Sequence, residues 1–142
     1  MNEIKEFRGK YFFLSNFFET PVTWQGITYQ NNEAAFQSAK VINQKNRQSF
    51  ASLNPSKAKS KGRHVQLRND WEKIKDDIMY EICYCKFSQN EELKKKLIAT
   101  GNALLVEGNT WGDKYWGVCN GIGKNKLGKI LMKVREELKS TE

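Results

Sequence analysis

The stretch E-G-N-T-W-G-D-K-Y-W-G-V-C-N-G-I-G-K-N-K-L-G-K-I-L-M-K-V-R, from Glu107 to Arg135, joins a glycine-punctuated aromatic loop to a helix. Leu127, Ile130, Leu131, Val134 and Leu138 recur at helical spacing, and Asn125 stands where a cap is expected, so the helix is predicted from about Asn125 to Lys139. The loop holds Trp111, Tyr115 and Trp116 around Asp113. Large aromatic rings are costly to leave in water, so the loop is expected to fold over something. The two tryptophans by themselves fit a core plug. An acid among the rings favours a site that stabilises a cation or positions a proton.

Working upstream, Ala103 to Val106 reads as a short strand, and Asn90 caps a helix with Leu93 and Leu97 inward and Gly101 at its end. The longest helix starts near Asn69, where Asn69 and Glu72 form a capping-box pair. Its inward face is Trp71, Ile74, Ile78, Ile82 and Cys85. Pro55 opens a short Lys/Ser helix that Gly62 ends. Asn31 or Asn32 caps a helix running to about Val41. The first third reads as β-like: the apolar run Tyr11 to Leu14 is followed by a hairpin, Val22-Thr23-Trp24 and Ile27-Thr28-Tyr29 about a Gln25-Gly26 turn. Helices and short strands alternate irregularly. That indicates a single compact α+β domain over residues 1–142, mostly helical with short strands, and no doubly wound sheet.

Length suffices for a core without staples. With 39% hydrophobic and 12% aromatic residues, disorder is excluded despite a mean hydropathy of −0.72. The net charge of +8 favours anionic partners. Lys94, Lys95 and Lys96 read as solvated helix face. An odd count of three cysteines and no secretory leader point to a reducing, cytoplasmic setting. One histidine, His64, and no C-x-x-C leave too few ligands for zinc, so no metal is expected, and His64 would have to serve any Ser or Cys nucleophile. No apolar run is long enough to span a membrane.

Three constellations carry chemistry. Glu33, Phe36, Gln37 and Lys40 share one helix face, with Ala34, Ala35 and Ala39 leaving small surfaces for close packing. They fit either a solvated polar ladder or a catalytic face with a carboxylate near a lysine. Lys57, Lys59, Lys61 and Arg63 fit either a phosphate site or a solvated basic helix. G-I-G-K-N, Gly121 to Asn125, precedes a helix whose N–H groups suit an anion. It is neither a Walker A loop nor a Rossmann turn, since no G-K-[ST] follows and Lys126 stands in the third glycine's place.

F-F-L-S-N-F (Phe12 to Phe17), N-E-A-A-F-Q-S-A-K (Asn32 to Lys40), P-S-K-A-K-S-K-G-R (Pro55 to Arg63), D-W (Asp70–Trp71), L-L-V-E (Leu104 to Glu107), W-G-D-K-Y-W-G and G-K-N-K-L-G-K-I-L-M follow in order. Together they resemble the NADAR, or YbiA-like, family over nearly the whole chain. The resemblance implies a YbiA-like fold and an N-glycosidase that needs no cofactor. Family members cleave between a ribose carbon and an exocyclic amine. Some act on phosphoribosylamino-pyrimidine intermediates of riboflavin synthesis, others on ADP-ribosylated guanine in nucleic acid. The family often has His after the helix Glu, where this chain has Ala34.

The expected partner is therefore a phosphorylated ribosylamine or an ADP-ribosylated nucleic acid. Carboxylates stabilise an oxocarbenium-like sugar carbon, activate water or protonate the leaving amine. Glu33 and Asp113 are the acids assigned there. Lys40 offers a Schiff-base route through a ring-opened sugar. Phe13, Ser15, Asn16, Gln37, Arg63, Trp71, Trp116 and Asn125 are the expected substrate contacts, with Trp71 also fitting the buried helix face and Asn16 a turn. The rival reading is a catalytically inert binder of ADP-ribose or nucleic acid, which would gain nothing from two acids at its site.

Overall fold

A computed structural model describes residues 2–141. In chain order its elements are β1 (Glu3–Ile4), a 3-10 turn (Gly9–Leu14), β2 (Glu19–Trp24), β3 (Ile27–Asn31), α1 (Asn32–Ser38), α2 (Gln44–Gln48), α3 (Pro55–Gly62), α4 (Trp71–Gln89), α5 (Glu91–Ala99), β4 (Leu104–Leu105), β5 (Gly108–Asn109), β6 (Val118–Cys119) and α6 (Lys126–Lys139). The α+β class holds. These elements form two compact units, one of Met1–Ser15 with Asn90–Glu142 and one of Asn16–Gln89.

The unit Asn16–Gln89 is built on α1. All seven residues of this helix are buried, against the β2–β3 hairpin, α3 and α4. The hairpin is the one predicted. Trp24 pairs with Ile27 and Val22 with Tyr29, and Gln25 and Gly26 turn the chain with φ of 49° and 83°. Two positive φ values are what a two-residue turn needs to follow the strand twist. Alternation puts Val22, Trp24, Ile27 and Tyr29 inward. Trp24 Nε1 donates to Glu81 of α4 at 3.0 Å, and Gln89 bonds the Thr23 backbone in both directions.

The long helix departs from the expectation in its start and in part of its face. It begins at Trp71, with the Asp70 carbonyl accepting from the Ile74 N–H, so Asn69 lies outside it. Its buried face is Trp71, Ile78, Met79, Ile82, Cys83, Lys86 and Phe87, and Ile74 and Cys85 are only half-buried. Gly62 is the last residue of α3, as expected, but it does not turn left-handed to end it, and the C-cap Arg63 keeps a right-handed φ of −76°. A Cβ at Gly62 would overlap Gln37 Oε1 and lie 2.7 Å from Gln37 Cδ. The glycine is there for close packing of α3 on α1.

In the other unit, β1 pairs parallel with β4 and β5 with β6, and α5 packs on α6. Asn90 caps α5 by accepting from the Leu93 N–H, and Leu93 and Leu97 point inward as expected. The β-like reading of residues 11–14 is corrected. The Tyr11 and Ser15 amides bond carbonyls three residues back, so the run is 3-10. Phe13 and Leu14 are buried while Phe12 is exposed, a pattern that period-2 alternation does not produce.

Candidate active site

The expected site residues fall into two groups, one in each unit. In the first, Asn31 Oδ1 accepts from the Ala34 N–H at 2.8 Å and starts α1. Glu33 follows in the first turn, where its charge suits the helix N-terminus. Its N–H donates to the Asn16 carbonyl at 3.1 Å. Its Oε2 accepts from Gln37 Nε2 at 2.7 Å, and both side chains are buried. A buried carboxylate is thus held in one orientation by an amide one turn away.

Lys40 lies just beyond α1, its N–H bonded to the Gln37 carbonyl. It is half-buried, with Nζ 3.4 Å from the Gly62 carbonyl. Burial pulls its pKa below the ordinary lysine value; Glu33 pushes it back up and Arg63 lowers it further. The folded chain therefore places Glu33, Gln37, Lys40 and the exposed Arg63 within electrostatic reach of one another. A carboxylate and an amine with weakened proton affinity can exchange protons with a bound substrate.

Two expected contacts in this unit have other work. Asn16 Oδ1 accepts from Asn32 Nδ2 at 3.2 Å, its Nδ2 points to Met79 Sδ at 3.4 Å, and its carbonyl holds Glu33. These bonds position the start of α1. Trp71 is 5% exposed and packs its ring 5.1 Å from that of Phe36, so it belongs to the core.

The aromatic loop is in the other unit. Asp113 Oδ1 accepts from the amides of Tyr115 and Trp116 at 3.1 and 2.9 Å, and Asn109 bonds both the N–H and the carbonyl of Asp113. Trp116 is half-buried and meets Tyr115 edge-on at 4.9 Å, while Trp111 is 58% exposed. Phe13 is buried, with Lys96 Nζ 5.9 Å from its ring, and Ser15 closes the 3-10 turn.

Asn125 does not cap α6 with its side chain. It sits left-handed at φ 51°, and its amide ties two neighbours, accepting from the Glu107 N–H and donating to the Leu105 carbonyl. The amides of Lys124, Asn125, Lys126 and Leu127 donate to the carbonyls of Lys114, Gly117, Tyr115 and Trp116. The N–H groups expected to bind an anion are occupied by the loop itself.

Lys86 went unnoticed in the sequence. It is 1% exposed, its Nζ 5.5 Å from the Phe18 ring and 5.0 Å from that of Phe87. Burial pushes its pKa down to about 7, against a smaller upward pull from Cys83. The signal was available, since Lys86 falls three and four residues after Cys83 and Ile82 on the apolar stripe. Asn32, also unremarked, is buried with Oδ1 lacking a hydrogen-bond partner. Among the described residues no group of three or more His, Cys, Asp or Glu is placed to hold a metal.

A family model described as the NADAR domain matches residues 4–139. The chain belongs to the NADAR family. It is 40% identical over 128 residues to the N-glycosidase YbiA of Shigella flexneri serotype 5b (strain 8401), covering 87% of this chain and 79% of that protein. It is 35% identical over 130 residues to a riboflavin biosynthesis protein of Vibrio vulnificus (strain YJ016), covering 89% of this chain but 35% of that one. The NMR structure of the E. coli protein YbiA superposes with a TM-score of 0.85 at 36% identity, over 98% of this chain and 84% of that one. In this NADAR chain Ala34 is fully buried. No helix among the described residues is long and apolar enough to cross a membrane.

Proposed function

We propose that this NADAR chain hydrolyses the bond between ribose C1 and an exocyclic amine, with Glu33 and Lys40 carrying the chemistry. Its enzyme class, a hydrolase of N-glycosyl bonds, is that of the relatives named N-glycosidase. The observation that carries the finer reading is the buried Glu33, fixed by Gln37, beside a half-buried lysine whose proton is loosely held. A solvated ladder would leave both groups exposed and mobile.

In the proposed sequence the ribosylamine opens to an imine at C1. Neutral Lys40 adds its Nζ to C1; the Glu33 carboxylate takes the proton that the new C1–Nζ ammonium must lose and passes it to the leaving amine as the C1–N bond to the base breaks, leaving the lysine imine. Water adds to the lysine imine, and the C1 aldehyde is released and recloses to ribose. Gln37 and Asn16 position Glu33, Arg63 supplies positive charge for a phosphate, and Asp113, oriented by its own loop's amides, is assigned as the second carboxylate. The whole chain is proposed to act as one NADAR domain.

Two substrates satisfy this chemistry. A phosphoribosylamino-pyrimidine is supported by the riboflavin-named relative, and ADP-ribosylated guanine in nucleic acid by the net charge of +8. Purified protein incubated with each, followed by mass spectrometry, should release ribose phosphate or ADP-ribose. Release from neither would leave the chain an inert binder. Borohydride added during turnover should trap a sugar on Lys40, and Lys40→Arg, charged but unable to form the imine, should be nearly inactive. Full activity of Lys40→Arg with no trapped adduct would leave a carboxylate-only mechanism.

A further inference from the structure

Asn120 and Gly121 form the one Asn-Gly pair in the chain. They are the two central residues of a tight turn in the aromatic loop. Cys119 and Ile122 flank them as an antiparallel bridge. The Cys119 N–H donates to the Ile122 carbonyl at 2.9 Å, and the Ile122 N–H to the Cys119 carbonyl at 3.1 Å. Both central residues are left-handed, at φ of 54° and 76°, as a two-residue turn requires. Both are exposed, and so is Ile122 beside them.

The turn sets a carboxamide next to an unhindered backbone amide. Among the described residues neither the Asn120 side chain nor the Gly121 N–H has a hydrogen-bond partner. Even a Cβ built on Gly121 would meet nothing within 4 Å, and glycine carries none, so no side chain screens its nitrogen. Every other asparagine in the chain precedes a residue that has a side chain. Asn31, Asn43, Asn54 and Asn90 are held as well, their side-chain oxygens accepting from helix amides. We infer that Asn120 is a site of spontaneous deamidation, converted through a succinimide to aspartyl and isoaspartyl forms.

In this conversion the Gly121 amide nitrogen attacks Asn120 Cγ. The N–Cγ bond forms, the Cγ–Nδ2 bond breaks, and the amide proton leaves with Nδ2 as ammonia. Water then opens the cyclic imide. Opening at Cγ gives the aspartyl form. Opening at the main-chain carbonyl carbon gives the isoaspartyl form, whose backbone runs through Cβ and Cγ. Either form adds a negative charge to the loop. The isoaspartyl form also lengthens a two-residue turn by one backbone atom, so the paired Cys119–Ile122 bonds no longer close in register. Bringing the Gly121 nitrogen onto Cγ needs rotation about the Asn120 main chain, so the folded turn reacts through local opening and more slowly than a free peptide. The inference does not rest on the N-glycosidase reading, because no substrate takes part.

The test is mass spectrometry of the whole protein, aged in mildly alkaline buffer and then digested with trypsin. Cleavage after Lys114 and Lys124 releases Tyr115–Lys124, in which Asn120 carries the only side-chain amide. This peptide should gain the mass of one amide-to-acid exchange, as two separable products, and faster as pH rises. Leu97–Lys114, which carries Asn102 and Asn109, should keep its mass over the same period. Asn120→Gln should abolish the gain, since the larger ring closes far more slowly. The isoaspartyl fraction should unfold at a lower urea midpoint than Asn120→Asp, which has the charge without the added backbone atom. An unchanged Tyr115–Lys124, over a time in which the same free peptide converts completely, would overturn the site. An equal gain in Leu97–Lys114 would overturn its selectivity, an aspartyl product alone would overturn the succinimide route, and equal urea midpoints would overturn the register argument.

Discussion

Replacing Gly62 by Ala tests how α3 sets the candidate catalytic carboxylate. The new methyl would overlap Gln37 Oε1, with Gln37 Cδ at 2.7 Å and Cβ at 3.1 Å. Backbone rigidity leaves the Gln37 amide as the part that moves. Clearing the overlap carries Nε2 away from Glu33 Oε2, its acceptor at 2.7 Å. A hydrogen bond to a charged group is worth about 1.5–3 kcal/mol, and that is the expected loss in urea denaturation. Turnover should fall about 10²-fold, the usual result of displacing a catalytic group by about an ångström. Gln37→Ala separates steric from generic effects. It removes the amide and leaves only the 3.1 Å Cβ approach, which a shift of a few tenths of an ångström relieves. Adding Gly62→Ala to Gln37→Ala should therefore cost well under 1 kcal/mol and little further activity. Equal costs of Gly62→Ala in the two backgrounds would refute the argument that α3 acts through Gln37.

Glu33→Gln keeps the shape of the side chain and removes its charge, so turnover should drop by about 10² or more with the far-UV spectrum unchanged. Near-wild-type turnover would remove Glu33 from the mechanism. Lys86 binds its proton more weakly folded, at about 7, than unfolded, at its ordinary 10.5. Between those values the unfolded chain holds more protons, so stability should rise with pH, by up to about 1.4 kcal/mol per unit, and the destabilisation is full below about 7. Lys86→Met should flatten that rise in urea titrations, and a parallel pH dependence would contradict it. Asn125→Gly keeps the left-handed backbone but loses both side-chain bonds, at a cost on the order of 2–4 kcal/mol. An unchanged urea midpoint would show those bonds to be dispensable.

What was legible in the sequence was local. The Gln25–Gly26 turn, the Asn31 and Asn90 caps and the Pro55 start each depend on residues a few positions apart, and each lies where it was expected. The Glu33–Lys40 neighbourhood was legible for the same reason. The misreadings involve partners far along the chain. Asn125 is exchanged from cap to tie because Leu105 and Glu107 reach it. Gly62 ends α3 where it was expected to, but its contact with Gln37, far back along the chain, was not legible from local sequence. Lys86 is hidden in the sequence because a charged residue on an apolar stripe does not add to the hydrophobic period.

The loop carbonyls that take the amides of residues 124–127 have a kinetic consequence. This aromatic loop cannot lift without stripping the first turn of α6 of its acceptors. Helix ends left without partners fray. Loop opening and helix fraying are thus one event with one free energy, and amide hydrogens at 124–127 should exchange at the rate at which the loop opens. The Trp116 carbonyl, which accepts from the Leu127 N–H, is one of the bonds that such an opening must break.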